Sequence, residues 1–309
     1  MRAAMDVADM FAGLGGFSEG ARQAGCRVVW AANHWRAAVD MHALNHPETE
    51  HACQDLEQAD WRAVPRHDLL IGSPACQGHS PARGKEKPHH DAQRSTAWAM
   101  VSAVEYHRPV AFVAENVRQF ATKWVLYRAW CEAMHALGYA LSPVVLNAAD
   151  SGVPQERLRL FVVGTRSKHP ITLRLFQRDH VPASSFIDFN VGQWSPVVHS
   201  HRKPATLARV AAGRARFGDR FLMPYYGSGS GRTGRCLSRP IGTITTKDRW
   251  AVVDGDRMRM LTTNENRAAM SFPGTYHLPA SHKQALHMLG NAVCPVQACD
   301  VIEAVSEAL

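Results

Sequence analysis

Residues 5–165 alternate short apolar runs with segments in which apolar side chains recur at helical spacing. The runs include "MDVADMF", "RVVWAAN", "HDLLIGS" and "PVAFVAEN", and the segments between them include "GFSEGARQAG" and "TAWAMVSAVEYH". A strand followed by a helix, repeated several times, is typical of a mainly parallel sheet covered by helices on both faces. The sequence therefore predicts an α/β fold.

This alternation ends near residue 181. Residues 181–240 are rich in Gly, Ser, Pro and Arg and show few periodic stretches, whereas "RPIGTITTKDRWAVV" indicates strand. The chain after residue 281 returns to helix with a central break. We therefore predict two domains, in which residues 1–180 and 281–309 form the first and residues 181–280 form a second, smaller one.

The chain is basic, with 35 Lys and Arg against 27 Asp and Glu and a formal net charge of +8. Residues 199–239 concentrate this charge, because they hold nine Lys or Arg and a single acid, Asp219. Such a stretch suits a polyanion such as nucleic acid. A solvated basic face is the alternative interpretation.

The cysteine pattern argues against structural cross-links. The seven cysteines form no C-x-x-C pair and no spacing typical of metal ligands, so we expect neither disulfides nor a metal site. No leading segment resembles a signal peptide, and no apolar run approaches the ~20 residues of a membrane span. We expect a cytoplasmic protein with no membrane partner.

The segment "DMFAGLGGFSEG", residues 9–20, follows the first predicted strand and opens a helix. Its glycines allow the backbone to approach a ligand closely, and the helix N-terminus presents free N–H groups to an anion. A dinucleotide and a carboxylate-bearing adenosyl cofactor both fit this loop. A tight strand–helix turn without a ligand is the third interpretation.

Three further segments place reactive side chains where predicted strands end or begin. Cys76 follows the strand "LLIG", Glu115 ends "AFVAEN", and Arg157 and Arg159 enter "RLRLFVVG" two residues apart. Ligands bind at the carboxyl ends of parallel strands, so we expect Cys76 and Glu115 to meet there. Taken singly, the thiol is more often a small buried hydrophobe, and the charged residues are more often surface ion-pair partners.

Five of these segments together resemble a known family. "DMFAGLGGFSEG", "SPACQGHS", "AENV", "QERLR" and "GNAVCP" occur in the order of the successive motifs of DNA cytosine-5 methyltransferases. The resemblance covers residues 6–165 and 240–309. It implies a Rossmann-like methyltransferase domain that uses S-adenosylmethionine, releases S-adenosylhomocysteine and carries a smaller domain that recognises double-stranded DNA.

The resemblance also implies catalytic roles. Cys76 is similar to the family's nucleophile, whose thiolate adds to C6 of cytosine so that C5 becomes able to accept a methyl group. Glu115 matches the carboxyl that engages N3 and the exocyclic amine, and Arg159, with Arg157 behind it, matches the donor to the base O2. A base inside the duplex does not reach such a site, so the target cytosine must flip out of the helix.

The cofactor site and the DNA contacts follow in the same way. The residues that match the family's cofactor motifs are Phe11, Gly13, Leu14, Gly15, Gly16, His34, Trp35, Asp55, Leu56, Pro74, Asn291 and Val293. Trp35 corresponds to the residue that packs on adenine, and Asp55 to the acid that accepts from its amine. The predicted DNA contacts are Ser80 and Arg83 after the nucleophile and Arg202, Arg209, Arg232, Arg235 and Arg239 in the basic stretch. We further expect a monomer of bacterial or phage origin, for which a cognate restriction endonuclease is the candidate partner.

The chain departs from the family at three positions, and one of them, Cys294 in place of a common proline of the late motif, is expected only to pack. His34 stands where the family usually has an acid that binds the ribose hydroxyls, and imidazole can still hydrogen-bond a hydroxyl. Ala75 replaces the second proline of the family's Pro-Pro-Cys, which should loosen the loop that carries Cys76.

Three other functions remain open from the sequence. A nicotinamide-dependent oxidoreductase would use the glycine loop but leave Cys76, Glu115 and Arg159 unexplained. A catalytically idle DNA-binding relative would not need the complete set of Cys, Glu and Arg. A methyltransferase acting on RNA would share the chemistry, although the long basic insertion favours duplex DNA as the substrate.

Overall fold

The computed structural model describes residues 4–75, 96–226 and 234–309 and divides the chain into two compact units. The first unit comprises Met1–Asn147, Leu158–Gln177 and Ala292–Leu309, and the second comprises Ala148–Arg157 and Arg178–Asn291. The predicted boundaries at residues 180 and 281 thus differ from those observed. That the larger unit is catalytic and the smaller one reads DNA stays a prediction.

The first unit is built on a seven-stranded sheet, with all strands and helices numbered along the chain. Its strands are β1 (Asp6–Met10), β2 (Arg27–Asn33), β3 (Glu50–Cys53), β4 (Leu69–Gly72), β5 (Ala111–Asn116), β6 (Ala140–Asn147) and β8 (Leu158–Thr165). The strand order is β3-β2-β1-β4-β5-β8-β6. The five strands β1 to β5 pair in parallel, and β8 pairs antiparallel with both β5 and β6. The predicted Rossmann-like α/β fold is confirmed.

Helices cover this sheet on both faces. They are α1 (Gly16–Gln23), α2 (Arg36–Asn45), α3 (Ala97–His107), α4 (Gln119–Lys123), α5 (Tyr127–Ala136) and α9 (Pro295–Ala308). Alternate strand residues enter different cores, so that Val113 packs with α1 and α9 whereas Phe112 packs with α3 and α5. The central strands are therefore apolar on both faces, which is why they read as continuous apolar runs in the sequence.

Long-range pairing explains why the second unit is wider than predicted. Its strands are β7 (Gln155–Glu156), β9 (Ser195–Pro196), β10 (Arg220–Pro224), β11 (Ile241–Gly242), β12 (Trp250–Asp254) and β13 (Arg257–Met260). Its helices are α6 (Pro204–Phe217), α7 (Thr263–Ala269) and α8 (His282–Asn291). We had assigned residues 148–157 and 281–291 to the first domain. The structure instead pairs β7 with β11, and Gly290 of α8 lies against the backbone of Thr245 and Thr246.

An antiparallel sheet of order β10-β12-β13-β9 forms the core of the second unit. Arg259 on β13 makes a buried ion pair of 2.7 Å with Glu265 on α7 and also donates to the Asp188 carbonyl. Glu265 in turn closes a capping box with Thr262 at the start of α7. This network joins the sheet to the helix through a fully buried charge pair.

No helix within the described ranges combines the length and apolarity needed to cross a membrane.

Candidate active site

The first four loops of the predicted cofactor site emerge from neighbouring strands. The sheet order β3-β2-β1-β4 brings the carboxyl ends of these strands side by side. The loops after them carry Asp55, His34, the glycine loop of residues 11–16 and Pro74, respectively. The sheet thus gathers four segments that are distant in sequence at one edge, where open α/β sheets bind their ligands.

The glycine loop has an unusual backbone. Phe11, Gly13 and Gly15 all adopt positive φ, of 59°, 57° and 91°. Left-handed backbone is costly for a side chain such as that of Phe11 and is concentrated at functional loops. Gly15 then caps α1 without a side-chain hydrogen bond to the first turn. The N–H groups of that turn suit a carboxylate, which an amino-acid-bearing adenosyl cofactor supplies.

The other predicted cofactor residues differ in their exposure. His34 and Asp55 are exposed and Trp35 is half-buried. The Asp55 carboxylate accepts from the Glu57 amide with Oδ1 and so begins a short 3-10 turn. Leu14, Leu56 and Val293 are at most 3% exposed and pack as core residues of the first unit, so a contact with cofactor would have to come from their backbone. Asn291, the last residue of α8, is exposed.

Glu115 and Arg159 lie in contact. Glu115 is in β5 opposite Phe161 of β8, and Arg159 is two residues from Phe161 on the same strand. The register therefore places the two side chains on one face as diagonal neighbours. The Arg159 Nε atom lies 3.0 Å from a Glu115 carboxylate oxygen, and both side chains are largely buried.

Arg157 has a different environment from Arg159. It lies between β7 and β8, so one continuous strand does not carry both arginines. It is 1% exposed and donates to the Ile244 and Gly290 carbonyls of the second unit, each at 3.0 Å. These contacts assign Arg157 to holding the backbone of its own unit together.

The residues that precede Cys76 are held on two sides. The Pro74 carbonyl accepts from the Asn116 side chain at 3.0 Å, and the Ala75 amide donates to Thr96 Oγ1 at 3.1 Å. A proline at position 75 has no N–H and would not make the second bond. The replacement that we expected to loosen the loop therefore brings an additional hydrogen bond. Cys76 itself, with Ser80 and Arg83, lies outside the described residues.

The basic side chains of residues 199–239 differ in whether they form hydrogen bonds or ion pairs with other described residues. Arg202 donates to Ser195 and to two backbone carbonyls, and Arg235 pairs with Glu156 at 2.8 Å. Arg209 lies over the Tyr225 ring, 5.7 Å from its centroid. The Arg239 side chain is exposed and makes no hydrogen bond or ion pair to the described residues, although its backbone carbonyl accepts from the Ala183 amide. Arg232 lies outside the described residues.

Sequence reasoning missed several groups around the site. Thr96 and Asn116 hold the backbone before Cys76, but no specific sequence pattern indicates this role for either residue. Asp9, Ser18 and His42 form a buried network beneath the glycine loop. Within the described ranges no group of three or more His, Cys, Asp or Glu could hold a metal ion. The six described cysteines are free thiols.

Comparison with known proteins gives consistent results. A family model described as C-5 cytosine-specific DNA methylase matches residues 5–208 and 222–308. The chain is 30% identical to the type II methyltransferase M.HgiDI of Herpetosiphon aurantiacus, over 94% of this chain and 90% of that protein. It is 28% identical to the type II methyltransferase M.HhaI of Haemophilus parahaemolyticus, over 92% and 89% of the two chains.

Solved structures show the same fold at lower identity. A putative DNA modification methyltransferase encoded within an E. coli prophage superimposes with a TM-score of 0.73 at 20% identity, over 99% of both chains. A variant of Spodoptera frugiperda DNMT2 gives a TM-score of 0.72 at 18% identity, over 98% of this chain and all of the other. At these identities the similarity establishes the fold alone.

Proposed function

The chain belongs to the C-5 cytosine-specific DNA methylases, and from this premise we propose a specific reaction for it. As a DNA methyltransferase it acts on DNA and requires a methyl donor. We infer that it transfers a methyl group from S-adenosylmethionine to C5 of a flipped-out cytosine, in a specific duplex sequence, through a covalent bond between Cys76 and C6. Membership of this family excludes the alternative function of a nicotinamide-dependent oxidoreductase.

The Cys76 thiolate begins the reaction by forming a bond to C6. The π electrons of the C5–C6 bond then shift to C5, which attacks an electrophilic methyl group. S-adenosylmethionine would supply that methyl group when bound, and its sulfur would keep the electron pair of the broken S–CH3 bond, so that S-adenosylhomocysteine leaves. A base removes the C5 proton, the electron pair of that C–H bond restores the double bond, and the thiolate leaves from C6.

The Glu115–Arg159 pair is the observation that carries this proposal. Addition at C6 places negative charge on the ring, and a proton at N3 relieves it. Glu115 would hold that proton between its carboxyl group and N3. Arg159 would donate to O2 and, at 3.0 Å from Glu115, also fixes the orientation of the carboxylate. Both side chains are largely buried, which strengthens their interaction with the ring.

The cofactor would occupy the edge formed by the first four strands. The α1 N-terminus would bind its carboxylate, Trp35 would pack on adenine, and Asp55 would accept from the adenine amine through its second carboxylate oxygen. His34 would hydrogen-bond the ribose. The left-handed backbone from Phe11 to Gly15 supports this assignment, since it brings main-chain atoms close to a ligand.

Recognition of DNA is assigned to the second unit and to the loop after Cys76. Ser80 and Arg83 would contact the duplex as the base flips out, and Arg209, Arg232 and Arg239 would reach phosphates or base edges. An enzyme that methylates cellular DNA in a bacterium works in the cytoplasm. The type II names of its relatives suggest a companion restriction endonuclease.

Trapping with 5-fluorocytosine tests the proposed chemistry. The C5 fluorine blocks release, so the wild-type enzyme should form a covalent complex with such DNA and Cys76→Ala should not. Glu115→Gln should lower single-turnover methylation by ~10²-fold or more, the scale of a positioned acid–base group. Both variants should bind unmodified DNA and S-adenosylmethionine as the wild type does.

Two results would exclude the mechanism. Trapping by Cys76→Ala would remove this thiol as the nucleophile, and an unchanged chemical step in Glu115→Gln would remove the acid. Cys131→Ala is the matched control, because Cys131 is a half-buried free thiol on α5. Parallel assays with RNA of the same sequence distinguish the RNA methyltransferase from the DNA enzyme.

A further inference from the structure

A chain of hydrogen bonds runs through the interior of the first unit beneath the glycine loop. Ser18 Oγ on α1 donates to Asp9 Oδ2 on β1 at 2.6 Å. His42 on α2 lies with Nε2 3.0 Å from Ser18 Oγ and with Nδ1 2.8 Å from His51 Nε2 on β3. Four elements that surround the glycine loop are thus joined by side chains alone.

Three of the four side chains in these hydrogen bonds, those of Asp9, Ser18 and His42, are deeply buried, and His51 is half-buried. Asp9 and His42 are each 1% exposed and Ser18 is fully buried. Burial raises the pKa of the Asp9 carboxyl to about 7, against the opposing effect of its hydrogen bond from Ser18. Burial, with His46 and His51 nearby, holds the pKa of His42 well below its usual value, so its ring is neutral. Burying such groups is costly unless they bond to one another.

The directions of the hydrogen bonds are consistent along the whole chain. When Asp9 is ionised it only accepts, so Ser18 donates to it and accepts from His42 Nε2–H. The neutral His42 ring then has a lone pair on Nδ1, which accepts from His51 Nε2–H. When Asp9 is protonated on Oδ2, every hydrogen bond can reverse, with a change of tautomer at His42 and His51, and none need be lost. The hydrogen bonds from Asp9 to His51 are therefore compatible with both protonation states of Asp9.

A second histidine, which directly follows α2, reaches the same loop. His46, one turn beyond His42, hydrogen-bonds the backbone of Gly15, and burial lowers its pKa to about 4. The rings of His42 and His46 lie 4.5 Å apart. Gly15 is the left-handed residue that caps α1, so α2 and the residue that ends it contact both ends of the turn: Gly15 through His46 and Ser18 through His42.

We propose that His42 is a positioning residue for the methyl donor, because through Ser18 and Asp9 it holds the glycine loop in the shape that binds the cofactor. It contacts neither cofactor nor cytosine in this role. The inference rests on the proposed use of the glycine loop for S-adenosylmethionine. If the inference is right, breaking these hydrogen bonds weakens cofactor binding while DNA binding is retained.

The test compares Ser18→Ala, His42→Phe and His42→Gln by calorimetry with S-adenosylmethionine in the absence of DNA. Ser18→Ala and His42→Phe remove a bond to a buried group and should weaken cofactor binding by about tenfold. His42→Gln keeps a donor and an acceptor and should restore much of that affinity. The KM for S-adenosylmethionine should rise in parallel, with kcat at saturating cofactor changing much less.

His67→Phe is the matched control. His67 is also a buried histidine of the first unit, 8% exposed, and its Nδ1 lies 2.9 Å from the Pro65 carbonyl in the segment before β4. It should lower the unfolding temperature about as much as His42→Phe but leave cofactor affinity unchanged. Ser18→Ala replaces one small side chain by another and keeps the test valid if His42→Phe does not fold.

The outcomes separate this inference from the proposed function. If the wild-type protein does not bind S-adenosylmethionine, the proposed function fails. If the wild type binds and Ser18→Ala and His42→Phe bind equally well, the positioning role fails. It also fails if His67→Phe loses as much cofactor affinity as His42→Phe, or if DNA affinity falls in proportion.

Discussion

At the residue scale, a hydrogen bond to Thr96 holds the backbone at position 75, where the family usually has a proline. A proline would fix the backbone before Cys76, the proposed nucleophile, by its ring, whereas the Ala75 backbone is held by the hydrogen bond from its amide to Thr96 Oγ1. Ala75 and Thr96 are the residues directly before and directly after residues 76–95. A single hydrogen bond therefore joins the two residues that flank residues 76–95.

We expect Thr96→Val to slow single-turnover methylation roughly fivefold, the rate equivalent of a hydrogen bond worth about 1 kcal/mol. Ala75→Pro removes the donor and restores a rigid backbone, so it should recover most of the rate when combined with Thr96→Val. The four proteins form a double-mutant cycle. Strictly additive effects on the rate would show that the Ala75–Thr96 bond does not position the nucleophile.

At the scale of elements, a glycine sets the distance between α1 and α9. A Cβ atom placed on Gly20 would overlap Ala298 Cβ and would lie 2.7 Å from the Pro295 carbonyl oxygen and 2.9 Å from the Cys299 amide nitrogen. Backbone atoms do not yield as a flexible side chain would. The glycine loop leads directly into α1, so the packing of α1 on α9 supports the predicted cofactor site.

Gly20→Ala should therefore destabilise the protein, although alanine is the better helix former by about 1 kcal/mol. We expect a net loss of about 1–3 kcal/mol in the free energy of unfolding, the usual cost of overpacking a core. Gly274→Ala is the control, because nothing lies within 4 Å of a Cβ atom at that position. Equal stability of the two variants in denaturant titrations would contradict this account of the α1–α9 contact.

At the scale of the whole molecule, local patterns predicted the elements but not their long-range partners. The alternation of strands and helices predicted the sheet. It did not predict that β8 pairs antiparallel with β5, and this pairing is what places Arg159 beside Glu115. The helix α6 was missed, since its buried face consists of Thr206, Val210 and Gly213 and shows little apolar periodicity. The Ser18–His42 bond joins residues 24 apart in sequence, and no local signal marks it.

The structure of the second unit also distinguishes arginines with a carboxylate partner from arginines without one, which composition alone cannot do. Arg214 donates to the Gly255 carbonyl and to Asp256, and Arg220 pairs with Asp254 at 2.7 Å. Their charges are partly neutralised within the unit. Arg209 and Arg239 have no carboxylate partner among the described residues. Charge available for DNA is thus smaller than the nine Lys and Arg of residues 199–239 suggest.

We expect Arg209→Ala and Arg239→Ala to act on DNA binding and Arg220→Ala to act on stability. If Arg209 or Arg239 contacts phosphate, its loss should weaken binding to all DNA and reduce the slope of log affinity against log salt by about one. If it reads a base, the methylated sequence should relax at one position, at a cost of about 1–3 kcal/mol of discrimination.

Arg220→Ala is the matched control, because it removes the same charge from the same stretch but from an existing ion pair with Asp254. It should lower the unfolding temperature and leave the salt slope within error of the wild-type value. Salt titrations of DNA affinity and genome-wide maps of 5-methylcytosine measure the two effects separately. If Arg209→Ala and Arg239→Ala keep the wild-type affinity, salt slope and methylation pattern, these arginines belong to a solvated basic face, and DNA recognition by the second unit must use other residues.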